Sequence, residues 1–509
     1  MSRALQEGQS AFAAGRLVAA ETHLRAAVEA TPDQPAALLA LAECLLIARR
    51  PRESLTVCER ALSRLPDQAD LHCAKARALQ ALGHAAEARG CFEAAIQLQP
   101  GHAPARFGLA LQALEEGRAG EARSWLKPLF ESRDPTPDVQ WLAARLALAD
   151  GRAAEAAALA GGVAQRAELR PDQRAEALLL AGEALDRLGR FDEAFADFAA
   201  AKRLLRRYFA ERAAGREGEL ARLERLLAWF AAADPGPWRR APGARSAGGA
   251  TTHVFLLGFP RSGTTLIEQA LAGHSRVATL EEAPLLARAA DRFLSNADAV
   301  SDLSRLGEEE AEFWRADYWR TAAAAGAKLP ADAFVDKAPA ASALAPLIAK
   351  LFPDARVIFA IRDPRDVVWS CFRNNFQMNA LTYAFTDLVE AAQCYAATMA
   401  LARLYRNLLS LPWFDLRYED LVHDFAGGLE RMCRFLGIEF EAPMADVAAT
   451  AARRPIRTPS AAQVRAGLNR QGLGRWRAYA GAFGEAAPIL APWVERLGYA
   501  AAGSAAAEP

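Results

Sequence analysis

This sequence has no net charge, no C-x-x-C pair of cysteines and no long apolar run. The 509-residue chain has 61 Lys and Arg against 61 Asp and Glu, so its formal net charge is +0. A neutral chain lacks the positive excess that coats nucleic acid or an anionic membrane, so we expect neither as a partner. No run of about 18 apolar residues indicates a membrane span, and the charged first residues contain no signal-peptide core. We therefore expect a cytoplasmic protein.

Cysteine and histidine are also few, and they lack the spacing of metal ligands. None of the 7 cysteines forms a C-x-x-C pair, and the 7 histidines follow no ligand pattern. Because metal sites usually depend on such spaced ligands, we expect reduced, partly buried thiols and no metal ion.

A period of 34 residues runs through the first part of the chain. Pro32, Pro66 and Pro100 are spaced at this interval, and glycines such as Gly83 and Gly117 share a phase of their own. Between the prolines, apolar residues recur three and four apart, which is typical of helices. The period predicts about six tetratricopeptide repeats over residues 1–210, stacked into an all-α superhelix. Its concave groove would hold a peptide or protein; the alternative is that the array only supports the chain or pairs it as a homodimer.

The composition changes after residue 210. We expect residues 211–251 to form a helix and a Pro/Gly/Ala-rich linker. Short β-prone runs then alternate with helical stretches, which predicts an α/β domain over residues 252–498, with a mostly parallel sheet and helices on both faces. Residues 499–509 are expected to be a disordered tail.

The segment GFPRSGTT, residues 258–265, lies between the first β-prone run and a helix. Gly258 and Gly263 have the spacing of a nucleotide-binding loop, in which backbone N–H groups and a helix N-terminus receive an anion. Thr264 stands where a triphosphate-binding loop carries lysine, and Arg261 supplies a cation within the loop instead. The loop therefore fits a 5′-diphosphate-like group better than ATP.

The string PRSGTTL resembles the 5′-phosphosulfate loop of the sulfotransferases, and the resemblance extends to about residue 480. Within that family the chain is similar to the bacterial tetratricopeptide-repeat sulfotransferases and to the tyrosylprotein sulfotransferases. The resemblance implies a P-loop-like domain, the donor 3′-phosphoadenosine 5′-phosphosulfate, and transfer of its sulfuryl group to a hydroxyl such as that of a protein tyrosine. Within the loop, the resemblance assigns donor binding to Arg261, Ser262, Gly263, Thr264 and Thr265.

The second phosphate of such a donor requires a second anion site. Arg362 stands at the carboxyl end of another apolar run, and Ser370 lies eight residues later in the next helix. An Arg and a Ser placed in this way can converge on one phosphate, and both match the family's 3′-phosphate motif. Residues 453–477 contain seven Arg and no Asp or Glu, which would attract an anion. By resemblance, further donor contacts fall on Tyr418, Ser460, Arg465 and Arg475.

Transfer to a hydroxyl also needs a base for the acceptor proton and cations near the transferred group. Glu281 and Glu282 stand where a short second strand should end. The tyrosylprotein sulfotransferases carry a catalytic Glu at this point, and the spacing from Arg261 favours Glu282, although Glu281 stays open. Lys337, at the end of another strand, matches the family's lysine and would act together with Arg261.

Two other functions are compatible with parts of the sequence. A degenerate P-loop kinase would need a lysine next to Gly263 and a carboxylate for magnesium, and that lysine is absent. A repeat scaffold could bind nucleotide without catalysis. The intact set of candidate catalytic and phosphate-binding residues argues against this second alternative.

Overall fold

The structure is a computed structural model of the chain. The structure describes residues 2–14, 16–48, 50–239, 249–454, 456, 458, 460–465, 467–468 and 470–500. Residues 501–509, which make up most of the predicted tail, lie outside the described residues. The limits of the predicted domains stay predictions.

The first part of the chain is helical, as the 34-residue period predicts. Gly83, Gly117 and Gly151, three glycines of that period, have φ angles of 88°, 78° and 78°. L side chains avoid this left-handed region, so glycine is favoured where one helix ends and the next begins. The helices are Arg3–Ala13 (α1), Leu17–Ala30 (α2), Pro35–Ile47 (α3), Pro51–Leu62 (α4), Ala69–Leu82 (α5), Ala85–Leu98 (α6), Ala103–Glu115 (α7), Ala119–Phe130 (α8), Pro137–Ala149 (α9), Ala153–Ala164 (α10), Pro171–Arg187 (α11), Phe191–Ala213 (α12) and Glu219–Ala231 (α13).

The chain divides into two compact units. The first, which we call the repeat unit, contains residues 1–168 and 183–189. The second, which we call the sheet unit, contains residues 169–182 and 190–509. The long helix α12 therefore belongs to the sheet unit, although the sequence places it in the last repeat.

The sheet unit contains five parallel strands. They are Ala250–Gly258 (β1), Val277–Glu281 (β2), Ala331–Lys337 (β3), Arg356–Ile361 (β4) and Trp413–Arg417 (β5), in the order β2-β3-β1-β4-β5. The chain moves outward from β1 to β2, returns to β3, and then crosses to the other side of β1. Such a reversal opens a crevice at the carboxyl ends of the strands, where sheets of this kind bind ligands. An all-α repeat array followed by a parallel α/β domain confirms the predicted fold class.

Helices cover both faces of this sheet. Successive side chains of a strand point to opposite sides, so alternate residues of β1 pack against different helices. Val254 and Leu256 of β1 belong to an apolar core shared with the helices that follow β1 and β5. Phe255 faces the other way, with its ring centroid 6.1 Å from that of Tyr318 and 5.9 Å from that of Phe352. The sheet unit also contains α-helices Thr264–Ala272 (α14), Ala287–Phe293 (α15), Ala297–Ser304 (α16), Glu308–Ala324 (α17), Ala345–Leu351 (α18), Pro364–Arg373 (α19), Ala380–Ala384 (α20), Leu388–Leu408 (α21), Tyr418–His423 (α22), Phe425–Leu436 (α23), Val447–Ala452 (α24), Ala461–Arg465 (α25) and Ala486–Arg496 (α26), and 3₁₀ helices Gly236–Trp238, Pro339–Leu344, Ala442–Ala445 and Arg475–Phe483.

Candidate active site

The loop between β1 and α14 has a backbone that glycine makes possible. Gly263, with φ of 96°, precedes the first residue of α14, and an added Cβ there would lie 2.3 Å from Cδ2 of Tyr418. The start of the loop is held by Ser342, whose Oγ accepts a hydrogen bond of 3.0 Å from the Gly258 N–H. Helix α14 starts directly after this loop, and the free N–H groups at a helix start can receive an anion.

Arg261 lies within this loop and connects three segments of the chain. Its Nε donates to Ser370 Oγ of α19 at 2.9 Å, and its Nη1 donates to Ser460 Oγ. Burial, together with the neighbouring charge of Arg362, lowers the pKa of Arg261 to about 10. The guanidinium thus keeps its positive charge at neutral pH inside a partly enclosed site.

Arg362 follows β4 and is 8% exposed. Its Nη1 donates to the Arg261 carbonyl at 3.1 Å, its Nη2 donates to the Gly472 carbonyl, and its Cζ lies 5.0 Å from the centre of the Tyr418 ring. In the part of the chain that the structure describes, Nε of Arg362 is buried and has no hydrogen-bond partner. Leaving a buried donor unpaired costs on the order of 1–3 kcal/mol, so this atom is suited to a ligand oxygen.

Most of the predicted donor-binding residues surround one small cavity of ≈ 30 Å³. Ser370 reaches this place through its hydrogen bond to Arg261. Ser262 and Thr264 are buried in the loop beside it. The predicted residues that line the cavity are Arg261, Gly263, Thr265, Arg362, Tyr418 and Ser460.

Two predicted donor contacts do not line this cavity themselves. Arg465 ends α25, and Arg475 begins a 3₁₀ helix; neither is among the described residues that line the cavity. On either side of Arg475, the N–H groups of Gly474 and Trp476 donate to the Asp366 carboxylate at 2.6 and 2.9 Å. The structure thus attaches the backbone around Arg475 to α19.

The candidate base and lysine meet at the adjacent ends of β2 and β3. Glu281 pairs with Lys337 in the sheet, and the Glu282 N–H donates to the Lys337 carbonyl at 2.8 Å. Nζ of Lys337 lies 2.8 Å from Oε1 of Glu282 and 3.2 Å from Oε1 of Glu281. The Lys337 side chain is fully buried, whereas the side chains of Glu282 and Glu281 are 49% and 13% exposed. Glu282 therefore combines contact with the lysine and access from outside.

Behind this pair lies a fully buried carboxylate, Glu268, that is not among the residues predicted from the sequence. Glu268 of α14 is fully buried, and its Oε1 accepts a hydrogen bond of 2.8 Å from Thr279 Oγ1 of β2. Arg454 also donates to Thr279 Oγ1 at 2.8 Å, and its Nη2 lies 3.8 Å from Glu268 Oε1. Burial raises the pKa of Glu268, and the nearby Lys337 opposes that shift. The signal in the sequence was a glutamate inside the apolar stretch TLIEQALA.

The structure also bears on metals, thiols and membranes. Among the described residues, no group of three or more His, Cys, Asp or Glu side chains is arranged to hold a metal ion. The cysteines are free thiols. A search of the described helices for one of the length and apolarity that a bilayer crossing requires found none.

Comparisons with known proteins separate the chain into the same two kinds of structure. A family model described as "Sulfotransferase family" matches residues 253–442, and two models of the tetratricopeptide repeat match residues 11–78 and 73–128. An uncharacterized protein of Aquifex aeolicus is 29% identical over 239 residues, which are 44% of this chain. The match spans only 30% of the length of that relative.

Solved structures that resemble parts of the chain include a sulfotransferase domain and a repeat protein. The sulfotransferase domain of the Synechococcus olefin synthase is 21% identical, with 47% of this chain and 98% of that chain covered and a TM-score of 0.29. A thermophilic tetratricopeptide-repeat protein of Thermus thermophilus is 25% identical, with 38% and 97% covered and a TM-score of 0.30. From the family models, this chain joins tetratricopeptide repeats to a domain of the sulfotransferase family.

Proposed function

We propose that the protein transfers a sulfuryl group from 3′-phosphoadenosine 5′-phosphosulfate to a hydroxyl acceptor. The observation that carries this proposal is the set of side chains gathered around the cavity at the end of β1, rather than the volume of the cavity itself. Residues from the loop after β1, the ends of β4 and β5, and the C-terminal segment line it together. The first three of these positions follow the carboxyl ends of parallel strands, where an open sheet binds a ligand.

The residues around the cavity fit a ligand with two anionic ends. The N–H groups at the start of α14 and the hydroxyls of Thr264 and Thr265 suit the 5′ end. The unpaired Nε of Arg362 and the Ser370 hydroxyl suit the 3′-phosphate. Tyr418, whose ring lies beside both Gly263 and Arg362, suits a contact near the adenine. When bound, the donor would supply an activated sulfuryl group.

The chain's own residues would then carry the remaining steps. Glu282 would accept the proton of the acceptor hydroxyl, because its carboxylate is accessible and is held at the end of β2 by Lys337. Lys337 and Arg261 would stabilise negative charge near the transferred group. These side chains and the loop amides supply the positive charge of the proposed site.

The acceptor belongs to the same proposal. A peptide or protein hydroxyl, such as that of tyrosine, would suit a chain that carries repeats, whose groove can hold an extended segment. Ser460, Arg465 and Arg475 would contribute to the closure of the donor site. A cytoplasmic location and a homodimer stay predictions.

Calorimetry with two nucleotides tests the proposal. We expect adenosine 3′,5′-bisphosphate to bind at least about tenfold more tightly than ATP, because the loop lacks the lysine that holds a triphosphate. Arg362→Ala should weaken bisphosphate binding by about tenfold or more. Preferential binding of ATP would refute the proposal. Bisphosphate binding without transfer of label from labelled donor to any component of a lysate would favour the nucleotide-binding scaffold.

A further inference from the structure

Helix α12 covers the helix that carries Ser370, and both lie in the sheet unit. Phe195 of α12 stacks on Trp369 and Phe372 of α19, with ring centroids 6.3 and 6.2 Å apart. Phe198 meets Trp369 edge to face at 5.7 Å. Helix α12 precedes residues 253–442, which the sulfotransferase model matches, yet it packs directly against the candidate 3′-phosphate helix.

A lysine of α12 is buried at the end of this contact. Lys202 is 3% exposed, and its Nζ donates a hydrogen bond of 2.7 Å to the carbonyl of Asn374, the residue that follows α19. Nζ also lies 5.9 Å from the centre of the Phe372 ring. Nζ therefore lies just beyond the carboxyl end of α19, where the partial negative charge of the helix end favours a cation. Burial lowers the pKa of Lys202 to about 7, which reflects the cost of enclosing the charge.

From this lysine a short chain of hydrogen bonds leads to the candidate donor site. Nδ2 of Asn374 donates to the Ser370 carbonyl at 2.7 Å and lies 3.5 Å from Ser370 Oγ. Ser370 Oγ in turn accepts a hydrogen bond of 2.9 Å from Nε of Arg261. The end of α19 therefore sets the position of the hydroxyl that faces Arg261.

We propose that Lys202 is a positioning residue for the 3′-phosphate side of the donor site. It fixes the end of α19 and, through Asn374, the placement of Ser370 beside Arg261. This inference rests on the proposed function. It means that α12, which the sequence places in the last repeat, helps to hold the donor site in place.

The test compares two ligands that differ in the 3′-phosphate. Calorimetry on the full chain should measure binding of adenosine 3′,5′-bisphosphate and of adenosine 5′-monophosphate, which lacks only that phosphate. Lys202→Met should weaken bisphosphate binding by about tenfold and leave monophosphate binding within about twofold. Lys202→Arg should retain both affinities, because its guanidinium can still donate to the Asn374 carbonyl. Arg203→Met, a change at the exposed neighbouring position, is the matched control and should also retain both.

The outcomes separate a failure of the positioning role of Lys202 from a failure of the proposed 3′-phosphate site. An equal loss of both affinities in Lys202→Met, or no loss, would overturn the positioning role. If Lys202→Met fails to fold, Lys202→Arg still tests the inference, because a folded Arg variant that lost the bisphosphate preference would contradict it. A wild-type protein that bound neither ligand, or did not distinguish them, would instead refute the proposed 3′-phosphate site.

Discussion

Arg261 and Glu282 are the residues other than glycine, among those the structure describes, whose φ angles are positive, at 73° and 47°. A left-handed backbone costs an L residue on the order of 1–2 kcal/mol, so such conformations persist only where contacts hold them. The Arg261 carbonyl accepts a hydrogen bond from Arg362, and the Glu282 N–H and carboxylate both bind Lys337. The strained positions coincide with two of the three residues proposed to act on the transferred group.

Replacing Glu282 or Glu281 by glutamine, one at a time, tests which residue is the catalytic base. Glu282→Gln should lower kcat by about 100-fold or more, because glutamine keeps the side-chain shape but accepts no proton. Binding of adenosine 3′,5′-bisphosphate should change by less than about twofold in the same variant. Glu281→Gln is the matched control and should retain most of the activity, since that side chain is only 13% exposed. Initial rates with labelled donor would check this, and a larger loss in Glu281→Gln would move the base to Glu281.

At this scale, residues at strand ends could be predicted and residues behind them could not. Lys337 and Glu282 each follow a recognisable apolar run, and parallel strands bring such ends together at one edge of the sheet. Arg454 reaches Thr279 across 175 positions of the chain. Nothing in the local pattern of either segment indicates that contact, because it depends on how the C-terminal segment folds back.

Helix pairs in the repeat unit approach closely where one residue has no side chain. Gly108 of α7 faces Phe92 of α6, and an added Cβ would lie 2.3 Å from Cζ of that ring. Phe92 is fully buried in the same apolar cluster as Ala88 and Ala95. The Phe92 ring therefore occupies the space that a side chain at position 108 would need.

Two Gly→Ala changes on neighbouring helices should therefore have opposite effects. Gly108→Ala should lower the free energy of unfolding by about 1–3 kcal/mol, because its methyl group overlaps the Phe92 ring. Gly90→Ala on α6 should raise that free energy by about 0.5–1 kcal/mol, because nothing lies within 4 Å of the added Cβ and alanine favours the helix. Urea unfolding followed by circular dichroism would measure both changes. Equal effects would contradict the packing argument.

The role of α12 was harder to predict from its sequence. The repeat pattern correctly predicts a helix, and Phe198 fits the period, since its ring would overlap a Cβ on Gly182 at 2.8 Å. What the period does not show is the other surface of α12, where Phe195 and Lys202 meet α19. A repeat signature describes contacts between successive helices, so it carries no information on a partner about 170 positions away.

At the scale of the whole molecule, zero net charge does not make the protein insensitive to pH. Inside the sheet unit, His253 Nε2 lies 2.9 Å from the Tyr318 hydroxyl, which donates to Asp336 Oδ2 at 3.0 Å. Burial lowers the pKa of His253 from 6.5 to about 3 and raises the pKa of Asp336 from 3.8 to about 7. The two groups lie on opposite ends of one hydrogen-bonded chain, and their shifts have opposite signs.

These shifts have opposed effects on stability. Between about pH 4 and 7 the folded state holds a proton on Asp336 that the unfolded chain releases, so this residue makes the free energy of unfolding fall as pH rises. Between about pH 3 and 6.5 the unfolded chain protonates His253 and the folded state does not, so this residue makes the same free energy fall as pH falls. Over the shared range, the two contributions oppose each other.

Removing either partner should expose the contribution of the other. Relative to the wild type, Asp336→Asn keeps an acceptor for Tyr318 and should make the protein less stable on acidification from pH 6.5 to 4, since only His253 then titrates. His253→Gln should have the reverse effect, with stability falling as pH rises from 4 to 7. Urea midpoints measured across this range would show the two slopes, and Asp332→Asn, at a half-exposed carboxylate of the same strand, should leave the wild-type slope unchanged. If the urea midpoint changed with pH in the same direction in both variants, groups other than His253 and Asp336 would dominate the pH dependence. That result would contradict the opposed contributions of these two residues.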